Sequence, residues 1–155
     1  MHTAPGINFD TFERPNPQMY TNFGAYWEAK CANILTAIEL SKRSKGAINA
    51  YSLLPGFIFT NITQKEDAVP ELQASGILGP DGLPNTEKYQ WKTIPQGAAT
   101  TVAAAFDPRI SDKPGSYLID STVANESIAP HSSDPANAAR LWTLTEKIVG
   151  ELFVF

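Results

Sequence analysis

The chain has 155 residues and a formal net charge of −4, and 43% of its residues are hydrophobic while 18% are charged. This composition is typical of one globular domain and excludes a disordered chain. The basic residues form no run longer than Lys42-Arg43, which argues against a nucleic-acid-binding protein. Small molecules or other protein chains are therefore the expected partners.

The cysteine and histidine content excludes further classes of protein. Cys31 is the single cysteine, so it cannot form an internal disulfide, and its apolar neighbours favour a buried thiol over a reactive one. The two histidines are far apart in the sequence, and no metal site is expected. The chain shows no signal-peptide pattern and no uninterrupted apolar run that could span a membrane. We expect a cytoplasmic protein without a membrane segment.

The first regular element predicted along the chain is a long helix. Residues 1–18 are rich in proline and predict an irregular segment, after which residues 19–43 form the strongest helical pattern. Gly46 is a natural terminator for this helix. Its apolar residues cover more than one stripe, so we expect it to be buried on most sides.

A strand and a long irregular region are predicted next. Residues 47–54 read as a buried strand that Pro55-Gly56 stops. Residues 61–92 contain several prolines and glycines without clear periodicity, which predicts a mobile flap with at most one short helix near residues 67–74.

Two helices and a strand are predicted in the last third of the chain. Thr93 is a good N-cap for a helix over residues 94–106, and residues 115–120 favour a short strand. A polar linker over residues 121–134 leads to a last helix over residues 135–149, which Gly150 closes before an apolar tail. This alternation predicts an α/β protein, and two strands are too few for a complete parallel sheet.

Tyr26 and Lys30 form the pair of residues most suited to chemistry. They are four residues apart on the predicted long helix, so their side chains lie on one face. An ammonium about 5 Å from the phenol would favour the phenolate by roughly 3 kcal/mol, which lowers the tyrosine pKa by about two units. Such a tyrosine could transfer a proton to or from a carbonyl oxygen. On spacing alone, a surface lysine beside a packed tyrosine is the more frequent arrangement, so the spacing does not decide for chemistry.

Several segments in order resemble one enzyme family and cover nearly all of the chain. They are INFDTFE, YWEAKCANILTAIEL, LLPGFIFT, WKTIPQGAATTVAAAF and ARLWTLTEKIVG. Together they resemble the C-terminal half of short-chain dehydrogenases/reductases, in the branch that includes retinol dehydrogenases and their fungal relatives. The resemblance implies a partial Rossmann-type fold, the C-terminal half of a doubly wound parallel sheet flanked by helices. Residues 1–155 would then be one truncated domain. Its parts would be the active-site helix (19–43), the strand and Pro-Gly-x-x-x-Thr loop (47–60), the substrate flap (61–92) and the C-terminal helices with the last strand (93–155).

The resemblance also implies roles for individual residues. Tyr26 would be the general acid or base, and Lys30 would lower its pKa and bind the nicotinamide ribose. Pro55 and Gly56 would let the backbone approach the nicotinamide, and Thr60 would hold the carboxamide or nearby phosphate oxygens of NADP or NAD. The substrate would be an alcohol or carbonyl compound, and the fungal likeness suggests secondary metabolism. From the residues alone, Pro55-Gly56 could equally be only a turn after a strand.

The sequence departs from the family pattern in ways that leave alternatives open. It contains no Thr-Gly-x-x-x-Gly-x-Gly turn, and no serine precedes Ser41, so the catalytic serine of the family has no counterpart before Tyr26. The resemblance therefore implies that the chain begins just after that serine. Ala29 and Pro95 also replace residues common in the branch, without removing a catalytic group.

Three readings remain open on the sequence. The first is an enzyme whose N-terminal half is lost from the gene model or supplied separately. The second is an inactive remnant that acts as an interaction or dimerisation module, because in the family the tyrosine helix and the next helix build a four-helix dimer interface. A homo- or hetero-oligomer through the Tyr26 helix is expected on that ground. The third is an unrelated small α/β binding domain.

Overall fold

Helices and short strands alternate along the chain in the structure, a computed structural model that describes residues 6–12 and 17–155. The elements are α1 (Asn22–Arg43), β1 (Ser52–Leu54), β2 (Phe57–Ile58), α2 (Val69–Ala74), β3 (Trp91–Lys92), α3 (Ile94–Phe106), β4 (Tyr117–Ile119), β5 (Thr122–Val123), α4 (Pro130–Ser133) and α5 (Pro135–Val149). A three-stranded sheet has the order β1-β4-β5, and β2 pairs in parallel with β3. The predicted α/β class is confirmed, and the small sheets agree with a partial Rossmann-type fold.

The described residues form two compact units. The first comprises the described residues up to Leu53 with Asp107–Leu118 and Val123–Phe155, and the second comprises Leu54–Phe106 and Ile119–Thr122. The first unit contains α1, α4 and α5, whereas the second contains α2, α3 and the β2–β3 pair. The single truncated domain expected over residues 1–155 stays a prediction.

The core of the first unit lies where α1 packs against α4 and α5. Its fully buried members are Cys31, Leu35, Ala138 and Leu141. The Cys31 Sγ lies 3.2 Å from Ser132 Oγ on α4, which gives the buried thiol a polar partner. The buried position predicted for Cys31 is therefore confirmed.

The long helix begins later and is less buried than the sequence predicted. Thr21 caps it, because the Thr21 hydroxyl accepts a hydrogen bond from the Gly24 amide at 3.0 Å. One face of α1 is exposed from Asn22 to Thr36, so this chain alone does not bury the helix on most sides, and burial of that face by another subunit stays a prediction. The exposed stripe, which we call the Tyr26 stripe, consists of Asn22, Tyr26, Ala29, Asn33 and Thr36.

The strand predicted over residues 47–54 is confined to its last three residues, Ser52–Leu54. Ser41 and Ser44, at the end of α1, bind backbone groups that precede β1. The Ser41 hydroxyl donates to the Ala50 carbonyl at 3.0 Å and accepts from the Ala50 amide at 3.1 Å. The Ser44 hydroxyl contacts the Ile48 carbonyl and amide in the same way. These bonds occupy backbone groups that a longer strand would need for its ladder.

Residues 61–92 are ordered by side chains that bind backbone groups. Gln73 Nε2 donates to the carbonyls of Gly79 and Pro80 at 3.0 and 2.9 Å. Asn85 Nδ2 donates to the Gly76 carbonyl at 3.1 Å, and the Asn85 carbonyl accepts from Trp91 Nε1 at 3.1 Å. The predicted short helix is present as α2, and the segment ends in β3, which the sequence did not reveal.

The linker predicted over residues 121–134 contains regular structure. β4 and β5 form a hairpin whose two connecting residues, Asp120 and Ser121, have φ values of 50° and 63°. Positive φ at both positions is what a two-residue hairpin turn of type I′ requires. The turn residues lacked the usual glycine or asparagine signal, so the hairpin was missed.

Two helices of the last third, α3 and α5, agree with the sequence, whereas α4 (Pro130–Ser133) lies in the predicted linker and was missed. α3 and α5 have the predicted bounds, and Asp134 caps α5 by accepting a hydrogen bond from the Ala136 amide at 2.8 Å. Gly150 ends α5 with a φ of 78°. Among the helices of the described residues, none is long and apolar enough to cross a membrane.

Candidate active site

Tyr26 and Lys30 lie on the same side of α1, in the first unit. The Lys30 Nζ stands over the Tyr26 ring, 5.4 Å from its centroid, which is a cation–π distance. Trp27 packs edge-on against the same ring at a centroid distance of 5.2 Å and supports the ring from the other side of the helix turn. Tyr26 is nevertheless 43% exposed. The pair is therefore held together and open to a ligand at once.

The pKa of Tyr26 differs from the expectation. We expected Lys30 to lower it, but partial burial of the phenol raises the pKa of Tyr26 above its ordinary value. Burial penalises the charged phenolate, and the ammonium stands over the ring instead of offsetting that penalty. Burial therefore favours the protonated form of the Tyr26 phenol.

A cleft of about 570 Å³ lies in the first unit between the N-terminal segments and the first half of α1. Its wall is largely apolar and includes Phe12, Met19 and Trp27, with Glu28 among the polar residues. Glu28 Oε1 accepts a hydrogen bond from the Asn8 amide at 3.0 Å. Neither Tyr26 nor Lys30 lines this cleft, so the candidate proton donor does not open into it.

The Pro55–Gly56 loop lies in the second unit and has a conformation that only glycine adopts readily. Gly56 has a φ of 92°, and a side chain at this position would be strained. The loop leads into β2, which pairs with β3 in the register Phe57↔Trp91 and Ile58↔Lys92. The parallel pairing of β2 with β3 therefore holds the chain that follows the Pro55–Gly56 turn.

Thr60 follows β2 and precedes a short 3-10 turn over Asn61–Gln64. The Thr60 amide donates to Thr63 Oγ1 at 3.2 Å, and the Thr63 hydroxyl donates to the Thr60 carbonyl at 2.7 Å. These two bonds fix the backbone of Thr60. Its predicted role in binding carboxamide or phosphate oxygens stays a prediction.

The predicted site residues thus form two local groups. Tyr26 and Lys30 belong to the first unit, and Pro55, Gly56 and Thr60 belong to the second. Tyr26 and Lys30 are in contact, with Lys30 Nζ 5.4 Å from the centroid of the Tyr26 ring, whereas β2 separates Gly56 from Thr60. Our expectation that Tyr26 and Lys30 face the carboxyl end of the strand before Pro55 stays a prediction.

The sequence reasoning missed three residues of the second unit that shape the loop. Lys92 runs over Gly56 and forms an ion pair with Asp120. Gly97 is buried because Ile58 occupies the space of a side chain, with Ile58 Cγ1 2.7 Å from where a Cβ would lie. Lys92 and Gly97 both belong to the segment WKTIPQGAATTVAAAF. This segment resembles the family, but nothing in its sequence indicated that it lies beside the loop.

Metal chemistry finds no support in the residues that the structure describes. No group of three or more histidine, cysteine, aspartate or glutamate side chains in residues 6–12 and 17–155 could hold an ion.

Comparison with known proteins connects this arrangement to a family. The chain is 35% identical over 150 residues to short-chain dehydrogenase TIC 32 A, chloroplastic, of Brassica napus, an alignment covering 95% of this chain and 42% of that protein. It is 36% identical to short-chain dehydrogenase/reductase prx1 of Penicillium rubens over 142 residues, 84% of this chain and 39% of that protein. Human retinol dehydrogenase 14 is 30% identical over 148 residues, 94% of this chain and 40% of its own length. No family model matches the chain, and no solved structure matches it.

The chain belongs to the short-chain dehydrogenases/reductases, and it corresponds to a C-terminal part of such proteins. It spans about two fifths of the length of the curated relatives it matches, since the alignments cover 42%, 39% and 40% of them.

Proposed function

We propose that this chain supplies the proton-transfer part of an NADP- or NAD-dependent oxidoreductase that interconverts an alcohol and a carbonyl compound. The observation that carries the proposal is the Tyr26–Lys30 pair, in which Lys30 Nζ is 5.4 Å from the centroid of a partly exposed tyrosine ring. The relatives named as dehydrogenases and reductases support the same chemistry.

Tyr26 is the proton donor in this proposal. Its hydroxyl protonates the carbonyl oxygen as hydride reaches the carbon, and in the reverse direction the phenolate accepts the alcohol proton. Lys30 would donate hydrogen bonds to the ribose hydroxyls, and in this structure its charge does not offset the burial that raises the pKa of Tyr26. Their i, i+4 spacing on α1 keeps the two groups within one helical turn.

The raised pKa of Tyr26 favours its protonated form, which carbonyl reduction needs. A group that donates a proton must be protonated, and burial keeps Tyr26 in that form. Alcohol oxidation needs the phenolate, so its rate is expected to rise with pH toward the tyrosine pKa. Carbonyl reduction is expected to vary little across neutral pH.

The residues of this chain fit the nicotinamide end of a dinucleotide. When bound, the nicotinamide supplies or accepts the hydride. Gly56 has a φ of 92°, which only glycine adopts readily and which sets the course of the loop, while Lys92 covers its α-carbon. Lys30 suits the ribose and Thr60 suits the carboxamide. The 155 residues contain no glycine-rich turn of the kind that holds a pyrophosphate.

A chimera tests the proposal. This chain would replace the aligned residues of human retinol dehydrogenase 14, and reduction of retinal and simple aldehydes would be followed by NADPH and NADH absorbance. Tyr26→Phe should lower turnover at least about 100-fold, and Lys30→Met should lower it to a similar degree. Tyr20→Phe is the matched control, because Tyr20 is 61% exposed ahead of α1 and should leave turnover unchanged.

Two outcomes of that experiment count against the proposal. One is a folded chimera that binds NADPH but has no turnover, and the other is a turnover that survives Tyr26→Phe. Circular dichroism melting would qualify each variant as folded. A second chimera on the Brassica napus relative protects the test against a failure of the first to fold.

A second candidate function is a non-catalytic interaction module that pairs with a copy of itself or with a full-length relative. The observation that favours it is the Tyr26 stripe, which is exposed on α1 from Asn22 to Thr36. A partner helix packed on this stripe would cover Tyr26 and exclude a nicotinamide from it. The two functions are therefore mutually exclusive on this face.

Light scattering distinguishes the module from a monomer. The pairing proposal expects the 155-residue chain to elute as an oligomer, which Ala29→Arg and Thr36→Arg convert to a monomer. Lys42→Glu, at the exposed end of α1, should leave the mass unchanged. Leu35 is buried and Ile38 is partly buried against the internal core, so their substitution would unfold the unit instead of testing the interface. A sharp monomer peak for the unaltered chain would exclude pairing with itself, and the same peak in the presence of a full-length relative would exclude the module.

A further inference from the structure

The Lys92 side chain lies across the α-carbon of Gly56. A Cβ built at Gly56 would be 2.9 Å from Lys92 Cδ, 2.9 Å from Cε and 3.1 Å from Nζ. The far half of the lysine therefore occupies the space where any other residue would place its side chain. The absence of a side chain at Gly56 serves two ends, since it permits the positive φ and makes room for Lys92.

Strand pairing and an ion pair fix Lys92 at both ends. Its backbone lies in β3, in register with Ile58 of β2, one residue after the loop enters the strand. Its ammonium forms an ion pair with Asp120 Oδ1. The Lys92 side chain is only 20% exposed, whereas Asp120 is 67% exposed. The aliphatic part of the Lys92 side chain is therefore packed against the protein, whereas its ammonium is paired with a carboxylate at the surface.

The anchoring carboxylate is itself held in place. Asp120 and Ser121 form the hairpin turn between β4 and β5. The Ser121 amide donates to Thr100 Oγ1 at 3.2 Å, and Thr100 on α3 is 1% exposed. The hairpin turn is therefore tied to a buried residue of α3, and Asp120 presents its carboxylate to Lys92 from a fixed position.

We infer that Lys92 is a positioning residue that holds the Pro55–Gly56 loop in its observed conformation through its stem on Gly56 and its ion pair with Asp120. The functional meaning of this role rests on the proposed function, in which the loop approaches the nicotinamide. Lys92 itself does not touch the reacting atoms. The Tyr26–Lys30 pair does not depend on Lys92 for its spacing or its chemistry.

Amide hydrogen exchange of the 155-residue chain tests the inference without any cofactor. Lys92→Ala removes both the stem and the charge and should speed exchange at Gly56 and Phe57 roughly tenfold, by local opening. Asp120→Asn removes only the ion pair and should speed exchange at the same amides by about threefold. Lys92→Met keeps the stem and should resemble Asp120→Asn. Lys65→Ala, an exposed lysine of the same unit, is the matched control and should change nothing.

The pattern along the chain separates positioning from general destabilisation. Amides of α3 should keep their protection in every variant, because the effect is confined to the loop. Unchanged exchange at Gly56 and Phe57 in Lys92→Ala would overturn the inference, and so would equal acceleration throughout α3.

The active chimera adds a second readout. There, Lys92→Met should raise the KM for NADPH several-fold and change kcat little, because the loop binds the cofactor and does no chemistry. An inactive chimera would count against the proposed function, and the exchange experiment would still decide the role of Lys92. An active chimera whose KM for NADPH is unaffected by Lys92→Ala would overturn the inference.

Discussion

Arg43 donates a hydrogen bond from its Nε to the buried carboxylate oxygen Glu39 Oε1 at 2.8 Å, one turn earlier on α1. The other carboxylate oxygen, Oε2, has no hydrogen-bond partner among the described residues and lies 3.8 Å from Lys42 Nζ. The Arg43 guanidinium also stacks on Trp142 of α5, with Cζ 5.2 Å from the ring centroid. This arginine therefore neutralises a buried charge and joins the two main helices of the first unit.

Arg43→Met should destabilise the chain because it leaves Glu39 charged and buried. The free energy of unfolding should fall by about 2 kcal/mol, which lies between the values for an exposed ion pair and a fully buried one. Urea unfolding followed by circular dichroism measures it. Lys42→Met is the control, since Lys42 is 64% exposed and should matter by less than about 0.5 kcal/mol. Equal losses in the two variants would show that Arg43 has no special role.

The C-terminal tail is held to α5 by a carboxylate. Glu146 Oε1 accepts hydrogen bonds from the Phe153 amide at 3.0 Å and from Trp142 Nε1 at 2.8 Å. The Phe153 amide, followed by Trp142 and the charge of Arg43, lowers the pKa of Glu146. A lowered pKa in the folded state means that the contribution to stability is present above the unfolded pKa. It is lost as pH falls through the folded pKa.

We therefore expect acid to release the tail. On lowering the pH through the carboxyl range, the Phe153 amide resonance should shift and lose protection before the helix unfolds. Glu146→Gln should weaken the same protection at neutral pH. Glu151→Gln removes an identical charge beside the tail and should have no such effect. Protection of Phe153 that is unchanged by both acid and Glu146→Gln would contradict this account.

Local signals in the sequence were enough to predict the helices of the fold. Thr93, Asp134 and Gly150 are capping residues whose effect depends on neighbours a few positions away, and α3 and α5 have the expected bounds. The i, i+4 relation of Tyr26 and Lys30 is equally local. The structure places that pair as the helix geometry required.

Contacts between distant residues could not be predicted in the same way. The parallel β2–β3 pair joins Phe57 to Trp91, and each strand has only two residues, too few for a periodic signal. The ion pair of Lys92 with Asp120 depends on a hairpin turn. The turn residues, Asp120 and Ser121, lack the usual glycine or asparagine signal. The tyrosine pKa was misjudged for a related reason, because burial of the phenol depends on packing that spacing does not show.

Gly97 provides a test of the packing beneath the loop. In the interior of a helix, Gly→Ala usually stabilises by up to about 1 kcal/mol. Here a Cβ would overlap the Ile58 side chain, so Gly97→Ala should instead destabilise by about 1–2 kcal/mol. Ile58→Ala, which clears the space, should reverse much of that effect in the double variant. Additive losses in a thermal-unfolding cycle would mean that the two residues do not meet.

Nucleotide binding by the 155-residue chain alone is the last property that the site predicts. Micromolar affinity requires about 8 kcal/mol of binding free energy. A Rossmann-type sheet supplies most of it through the glycine-rich turn of its first βαβ half, and these 155 residues contain no such turn. The residues proposed to bind cofactor, such as Lys30, Gly56 and Thr60, serve only its nicotinamide end.

We therefore expect calorimetric titration of the chain with NADPH or NADH to give no measurable heat of binding. The chimera, which restores a glycine-rich half, is the positive control and should bind with ordinary affinity. Its Lys30→Met variant should bind more weakly, because one ribose contact is lost while the pyrophosphate contacts persist. Micromolar binding to the 155-residue chain would show that its own residues hold more of the dinucleotide than the nicotinamide. In that case the phosphate groups would have to contact basic side chains of this chain. Lys92 beside Gly56 would be the first to test.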